Sequence, residues 1–86
     1  MTEADIRAML CRAMEAGAVV KIFEPAVRKM LLETGEDLEI ASLGMDSLAR
    51  MEFSIAIEVE TGISLTPDDL LKYSTVNQLV DFFRQR

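Results

Sequence analysis

Apolar residues recur at helical spacing along almost the whole of this 86-residue chain. In the first part of the chain they follow the i, i+3, i+4, i+7, i+8 pattern of one helical stripe, formed by Ile6, Met9, Leu10, Ala13 and Met14. The same spacing returns near the C-terminus in Val76, Leu79, Val80 and Phe83. No segment alternates apolar and polar residues as a half-buried strand does. The pattern predicts an all-α fold, and the short length predicts one domain over residues 1–86.

Capping residues and glycines predict the boundaries of two helices in the N-terminal part of the chain. Thr2 begins a sequence similar to a capping box, and Gly17 is a natural stop for the helix that follows. Pro25 fits the first turn of a second helix, which Gly35 ends. The side chains expected to face the core from this helix are Ala26, Val27, Met30 and Leu31. The segment between the two helices, 18–23, is compatible with an extended link or with a continuation of the first helix.

The rest of the chain predicts a loop, a long helix and two shorter helices. Residues 36–43 have the composition of a loop, held against the core by Leu38, Ile40 and Leu43. A long helix is expected from about Met45 to Thr61, stopped by the glycine that follows. Thr66 is the expected N-cap of a short helix, and Ser74 or Thr75 caps the last one. The apolar residues of the short helix are Leu70, Leu71 and Tyr73.

Composition excludes several classes of function. The chain has no histidine, so it lacks the usual general base of hydrolases and the commonest metal ligand, and neither an enzyme nor a metal site is expected. Its formal charge of −6 disfavours nucleic-acid binding, which needs a basic surface. Its apolar runs are far shorter than the ~20 residues that span a bilayer. With no signal-peptide pattern and a single cysteine, Cys11, the sequence predicts a cytoplasmic protein.

The negative charge is concentrated in the middle of the chain. Residues 31–70 contain ten of the fifteen acidic residues, and Arg50 is the only base among them. Such a surface attracts cationic partners and speeds their encounter. The alternative is a solvated face that only keeps the protein soluble.

The predicted long helix carries two apolar arcs where an ordinary surface helix has one. One arc contains Ala49, Phe53, Ala56 and Ile57. The other contains Leu48, Met51, Ile55 and Val59. Either the helix is buried on two sides, or the second arc is a partly exposed patch for a partner.

The start of this helix contains an Asp-Ser pair after a glycine: Gly44, Asp46 and Ser47 lie where unpaired backbone N–H groups and the helix dipole favour an anion such as phosphate. In the simplest interpretation, Asp46 or Ser47 is an N-cap. Catalysis by Ser47 is disfavoured because no residue nearby in the sequence could readily deprotonate it. A serine here is instead a candidate for modification by another enzyme.

At these residues the sequence resembles the acyl carrier proteins of fatty acid and polyketide synthesis. The segment Leu43-Gly44-Met45-Asp46-Ser47-Leu48 is close to the family's LG-x-DSL attachment motif. The match continues through Ile57-Glu58-x-x-x-Gly62, the apolar pair Ile63 and Leu65, Thr75-Val76-x-x-Leu79, and Phe82 with Phe83. About 42 residues, from Leu43 to Arg84, agree in order and spacing. Arg50 departs from the pattern, because the family rarely has a cation there.

The resemblance implies a small four-helix bundle of the acyl carrier protein type, with an additional helix or a helix in two pieces in the longer N-terminal third. It also implies that Ser47 carries 4′-phosphopantetheine, that Asp46 helps a transferase position its metal and the attacking hydroxyl, and that Gly44 is the flexible residue before them. The resemblance further implies a recognition face for partner enzymes, comprising Leu48, Met51, Glu52, Ile55 and Glu58. It also implies that Phe53 and Ile57 line a pocket for an acyl chain.

The function expected from this resemblance is that of a stand-alone, monomeric acyl carrier protein without catalytic activity, which presents thioesters to fatty-acid or related synthase enzymes. Its expected partners are a phosphopantetheinyl transferase and acyl-transferring and ketosynthase-type enzymes with basic docking patches. One alternative is a specialised carrier for a polyketide, lipid-modification or amino-acyl pathway. Another is a helical interaction module that is not modified.

Overall fold

The computed structural model describes residues 2–85, and the regular structure in this range is helical, without a β-strand. The helices are α1 (Glu3–Ala16), α2 (Pro25–Lys29), α3 (Ser47–Thr61), α4 (Pro67–Lys72) and α5 (Val76–Arg84). The end of α2 continues directly into π-helical residues Met30–Thr34, and two 3₁₀ turns cover Val20–Phe23 and Ile40–Leu43. The predicted all-α fold is confirmed, and α2 is the additional helix expected in the N-terminal third.

The helix boundaries follow the local signals in the sequence. Thr2, Thr66 and Thr75 each accept a hydrogen bond from the backbone N–H three residues later, and each forms a reciprocal capping box with the side chain there. Thr75, rather than Ser74, therefore caps the last helix. Gly35 and Gly62 adopt the left-handed conformation that ends a helix, as expected from their positions.

The segment between α1 and α2 is neither an extended link nor a continuation of α1, so both expectations for it were wrong. The chain reverses at Ala18, which has a positive φ of 54°, and then forms the 3₁₀ turn. A 3₁₀ helix has three residues per turn, so residues three apart share a face. Val19 and Ile22 are consequently buried, whereas Val20 and Phe23 face solvent.

Some apolar residues of the short elements face outward, contrary to expectation. Ala26 is exposed, because α2 lies on the outside of the molecule and packs through the turn before it and the π-helical residues after it. Of the residues expected to face inward, only Leu31 is fully buried, while Val27 and Met30 are half-buried. On α4, Leu70 is buried and Leu71 is exposed, since six residues can present only one narrow stripe to the core.

The core is a single cluster built around α1, which packs against α3, α5 and the π-helical residues. Gly17 lets the chain at the end of α1 pack tightly against the backbone of α3: a Cβ atom there would lie 3.2 Å from the backbone oxygen of Ala49 and 3.3 Å from the backbone nitrogen of Phe53. The loop before α3 is joined to the start of α5 by backbone hydrogen bonds from Ile40 to Ser74 and from Val76 to Leu38. These contacts position the N-terminus of α3.

Arg7 is the only charged residue that is buried in the described part of the chain. Its guanidinium donates hydrogen bonds to the carbonyl oxygens of Leu31 at 3.1 Å and Gly35 at 3.2 Å, and to the side-chain oxygen of Asn77. Arg7 thus joins α1 to the end of the π-helical residues and to α5. The sequence does not reveal this role, because the acceptors are 24 to 70 residues away from Arg7 in the chain.

We expect Arg7→Met to lower the free energy of unfolding by about 1–3 kcal/mol, because it leaves buried carbonyl groups without a donor. Arg12→Met is the matched control on the same helix. Arg12 is more than half exposed and pairs with Glu60, so its loss should cost at most about 1 kcal/mol. Urea unfolding of both variants measures the difference. Equal losses would contradict a structural role for the buried guanidinium.

Candidate functional site

The site predicted from the sequence lies where the chain turns into α3. The 3₁₀ turn ends at Gly44, whose φ of 69° places it in the left-handed region that glycine adopts without strain. Leu43 and Met45 are buried on either side of this exposed glycine and hold the turn to the core. The next two residues, Asp46 and Ser47, are exposed.

Asp46 is the N-cap of α3. Its carboxylate oxygen Oδ1 accepts a hydrogen bond of 2.8 Å from the backbone N–H of Ala49. Ser47 is the first residue of the helix, and within residues 2–85 its hydroxyl has no hydrogen-bond partner. Of the two residues considered as the cap, Asp46 therefore has the structural role, and the hydroxyl of Ser47 remains free to be modified.

Among the described residues, no side chain accepts a hydrogen bond from the Ser47 hydroxyl, as an activating base would. The chain has no histidine, and the carboxylate of Asp46 is already engaged in capping. The other nucleophile, Cys11, is buried in α1, where burial raises the pKa of its thiol. No group of three or more Cys, Asp or Glu residues in the described range could hold a metal ion. What the site offers is an accessible hydroxyl at a helix N-terminus, where the helix dipole favours a phosphate ester.

Only one of the two apolar arcs of α3 is buried. Phe53 and Ile57 are inaccessible to solvent and lie in the core cluster. The residues of the second arc that follow Ser47 are about half exposed: Leu48 58%, Met51 52% and Ile55 53%. Of the two interpretations, the structure therefore has the partly exposed patch rather than a helix buried on both sides.

Acidic side chains accompany this patch. Glu52 is half-buried and Glu58 is exposed, and neither has an ion pair among the described residues. Glu60 differs, because it pairs with Arg12 of α1. Arg50 is half-buried, and it too lacks an ion pair within the described range. Glu52 and Glu58 are thus available to a cationic partner.

A groove of about 400 Å³ lies beside the start of α3. It is formed between the segment that follows α1 and the residues that surround the Asp-Ser pair, and we call it the flanking groove. Its lining consists of Ala18, Val19, Val20, Lys21, Glu24, Leu43, Gly44, Met45, Asp46 and Ala49. The groove could not be recognised from the sequence, because its two sides are about 20 residues apart in the chain and the path of residues 18–23 was not predicted.

The chain matches the family model described as the phosphopantetheine attachment site over residues 18–83. Three relatives named acyl carrier protein, from Rickettsia canadensis, Rickettsia rickettsii and Rickettsia typhi, are each 29% identical over 73 residues. Those residues cover 85% of this chain and 85% of each relative. No solved structure gives a significant match to the chain.

The match to a phosphopantetheine attachment site and the relatives named acyl carrier protein place the chain among carriers of a covalently attached group, not among enzymes. The match over residues 18–83 identifies that group: the chain belongs to the acyl carrier protein family, whose cofactor is covalently attached 4′-phosphopantetheine. The accessible Ser47 hydroxyl fits such an attachment. Within residues 2–85, no helix is both long enough and apolar enough to cross a membrane.

Proposed function

We propose that Ser47 carries 4′-phosphopantetheine and that this single carrier domain, residues 1–86, presents acyl thioesters to fatty-acid or related synthase enzymes. The observation that carries the proposal is the exposed Ser47 hydroxyl, which has no hydrogen-bond partner within residues 2–85 because Asp46 caps α3 in its place. We further propose that the protein works as a cytoplasmic monomer.

In the attachment step, the Ser47 hydroxyl oxygen attacks the phosphorus of coenzyme A that bears the pantetheine. A new P–O bond forms to serine, the phosphoanhydride bond breaks, and adenosine 3′,5′-bisphosphate leaves. The serine proton passes to a base of the transferase, since this chain has no histidine. Asp46 uses Oδ1 in capping, which leaves Oδ2 for the metal ion of the transferase.

Incubation with coenzyme A and a phosphopantetheinyl transferase tests the proposal directly. Intact-mass spectrometry should show a gain of one phosphopantetheine per chain. If the chain stays unmodified although the transferase is active, the result would instead favour the alternative that the protein is a helical interaction module. A phosphodiester located by peptide fragmentation at a residue other than Ser47 would contradict the assigned site.

Asp46→Asn separates the two roles of this residue. Asparagine is as good an N-cap as aspartate, so the free energy of unfolding should stay nearly constant. Loss of the negative charge should slow modification by about 10- to 100-fold, the usual cost of removing a group that supports a metal site. The measurement is transferase kcat/KM alongside urea unfolding. An unchanged rate would restrict Asp46 to capping.

We propose that the recognition face consists of Leu48, Met51 and Ile55 with the two acidic residues Glu52 and Glu58. Electrostatic attraction would speed the encounter with basic patches on the transferase and on acyl-transferring and ketosynthase-type enzymes, and the apolar side chains would hold the complex briefly. The first three are about half exposed, and both glutamates lack an ion pair within residues 2–85.

The double reversal Glu52→Lys with Glu58→Lys should lower transferase kcat/KM at low salt. Each exposed ion pair contributes about 0.2–1 kcal/mol, so the pair of changes should cost roughly 2- to 30-fold. The loss should shrink at high salt, where charges are screened within a few ångströms. Glu33→Lys with Glu36→Lys is the matched control, because both residues are exposed and the net charge changes equally. If both double variants lowered kcat/KM equally, or if the loss did not depend on salt, the acidic surface would serve solubility only.

A specialised carrier is the second candidate, and Arg50 favours it. This cation lies on the same helix as the recognition face, and no acid among the described residues neutralises it. A partner with a matching acidic spot would account for it. Arg50→Glu should leave modification by a transferase unchanged or faster, and it should slow transfer only to a partner that has such a spot.

A further inference from the structure

The flanking groove has the volume and the mixed apolar and polar lining of a ligand site. Its volume of about 400 Å³ lies at the small end of the range of about 300–1,000 Å³ for ligand pockets. The floor is apolar, because Val19, Leu43 and Met45 are almost fully buried. Its charged lining residues, Lys21, Glu24 and Asp46, are exposed.

We propose that the flanking groove holds the pantetheine arm of Ser47 while the arm is not in the active site of a partner. The inference rests on the proposed attachment to Ser47 and adds a resting site for the arm on the body of the protein. This site is formed largely by the segment between α1 and α2 and not by the exposed arc of α3.

The position of the groove selects this occupant. Its lining includes Gly44, Met45 and Asp46, the three residues before Ser47, and Ala49, two residues after it. The groove therefore begins beside the attachment residue, within reach of a long, flexible group attached to Ser47. Covalent attachment also gives the arm a local concentration in the millimolar range, so that weak contacts are enough to populate the bound state.

The lining matches the chemistry of the arm, which combines a geminal dimethyl group with two amides. Ala18, Val20 and Ala49 offer apolar contacts for the methyl groups. The ammonium of Lys21 donates one hydrogen bond to the carbonyl oxygen of Ser42 at 3.0 Å and retains two further donors for an amide oxygen. The carboxylate of Glu24 can accept from an amide N–H.

The exposure of Val20 supports occupation of the groove. Its side chain is 79% exposed, although the two chain segments that form the groove are held in place by hydrogen bonds. The backbone N–H of Val19 bonds to the carbonyl of Met14 at 3.0 Å, and the Lys21–Ser42 hydrogen bond joins the two sides of the groove. An arm bound in the groove would cover this apolar side chain and bury its methyl groups.

NMR spectra of the unmodified and the fully modified protein test the inference. Residues 43–49 should shift in any case, because they adjoin the new ester. The informative residues are Ala18, Val20, Lys21 and Glu24, which are far from Ser47 in the sequence. Their amide signals should shift on modification, and the methyl protons of the arm should give nuclear Overhauser effects to the Val20 methyl groups.

Val20→Asp with Val59→Asp as its matched control sharpens the test. The two valines are almost equally exposed, at 79% and 81%, but Val59 lies near the far end of α3. The Val20→Asp substitution should abolish the shifts that modification causes at Lys21 and Glu24. In Val59→Asp, these shifts should persist as in the wild type. Both variants replace an exposed side chain, so both should fold.

Intact mass separates this inference from the proposed attachment. If no chain gains phosphopantetheine, the proposed attachment fails. If modification is complete but residues 18–24 show neither shifts nor Overhauser effects, the attachment stands and the groove inference is overturned. Overhauser effects to Leu48, Met51 or Ile55 alone would overturn it as well, as would shifts at Lys21 and Glu24 that survive Val20→Asp unchanged.

Discussion

Replacing Ser47 with alanine should abolish attachment of phosphopantetheine and leave the helical fold in place. The variant lacks the only atom proposed to form the phosphodiester. The hydroxyl makes no hydrogen bond within the described residues, and Asp46 retains the cap, so the change in unfolding free energy should stay within about 0.5 kcal/mol. Intact mass after incubation with coenzyme A and a transferase measures the first effect, and circular dichroism with urea unfolding measures the second.

Ser42→Ala is the matched control for this variant. Ser42 is an exposed serine five residues earlier whose hydroxyl donates to the carbonyl of Glu39 at 2.6 Å. It should be modified as fully as the wild type. If the Ser47 variant still gained the group, the carrier function would have to be assigned to another residue.

Phe53→Ala should lower the free energy of unfolding by about 3–5 kcal/mol. Phe53 has no exposed surface, and it belongs to the core where the backbone of Gly17 lies close to that of α3. The backbone of α3 is held too closely there to move into the space that the ring leaves. Small domains have a total stability of only about 5–15 kcal/mol, so the urea midpoint should fall sharply.

Met51→Ala provides the comparison on the exposed arc of the same helix. Half of the Met51 side chain is already in water, so its truncation should cost less than about 1 kcal/mol. It should instead weaken docking of partner enzymes, as measured by transferase KM. If the two variants lost equal stability, the assignment of the buried and exposed arcs would be wrong.

The elements that sequence analysis predicted well depend on contacts between neighbouring residues. Each of the three capping boxes joins residues three apart, as at Thr66, and the glycines that end helices act through their own backbone conformation. The buried stripe of α5, which includes Leu79 and Val80, follows from helical geometry alone. The position of Ser47 at a helix N-terminus was predictable for the same reason.

The features that were missed depend on where distant segments meet. The composition of residues 18–23 does not determine whether the chain extends, continues as a helix or turns back. Burial of Val19 and Ile22 against the core selects the 3₁₀ turn. The outward position of Ala26 has a similar origin, because a helix of five residues has too little apolar surface to orient itself.

The sequence by itself determined the helical class, most helix boundaries and the local environment of Ser47, since capping and periodicity act within one or two turns. Only the tertiary structure decided that Arg7 is buried, that Gly17 provides space for α3, and that one apolar arc of this helix stays exposed. It also decided that a groove lies beside Ser47. Each of these depends on packing between residues far apart in the chain, where burial and hydrogen bonding override local preference.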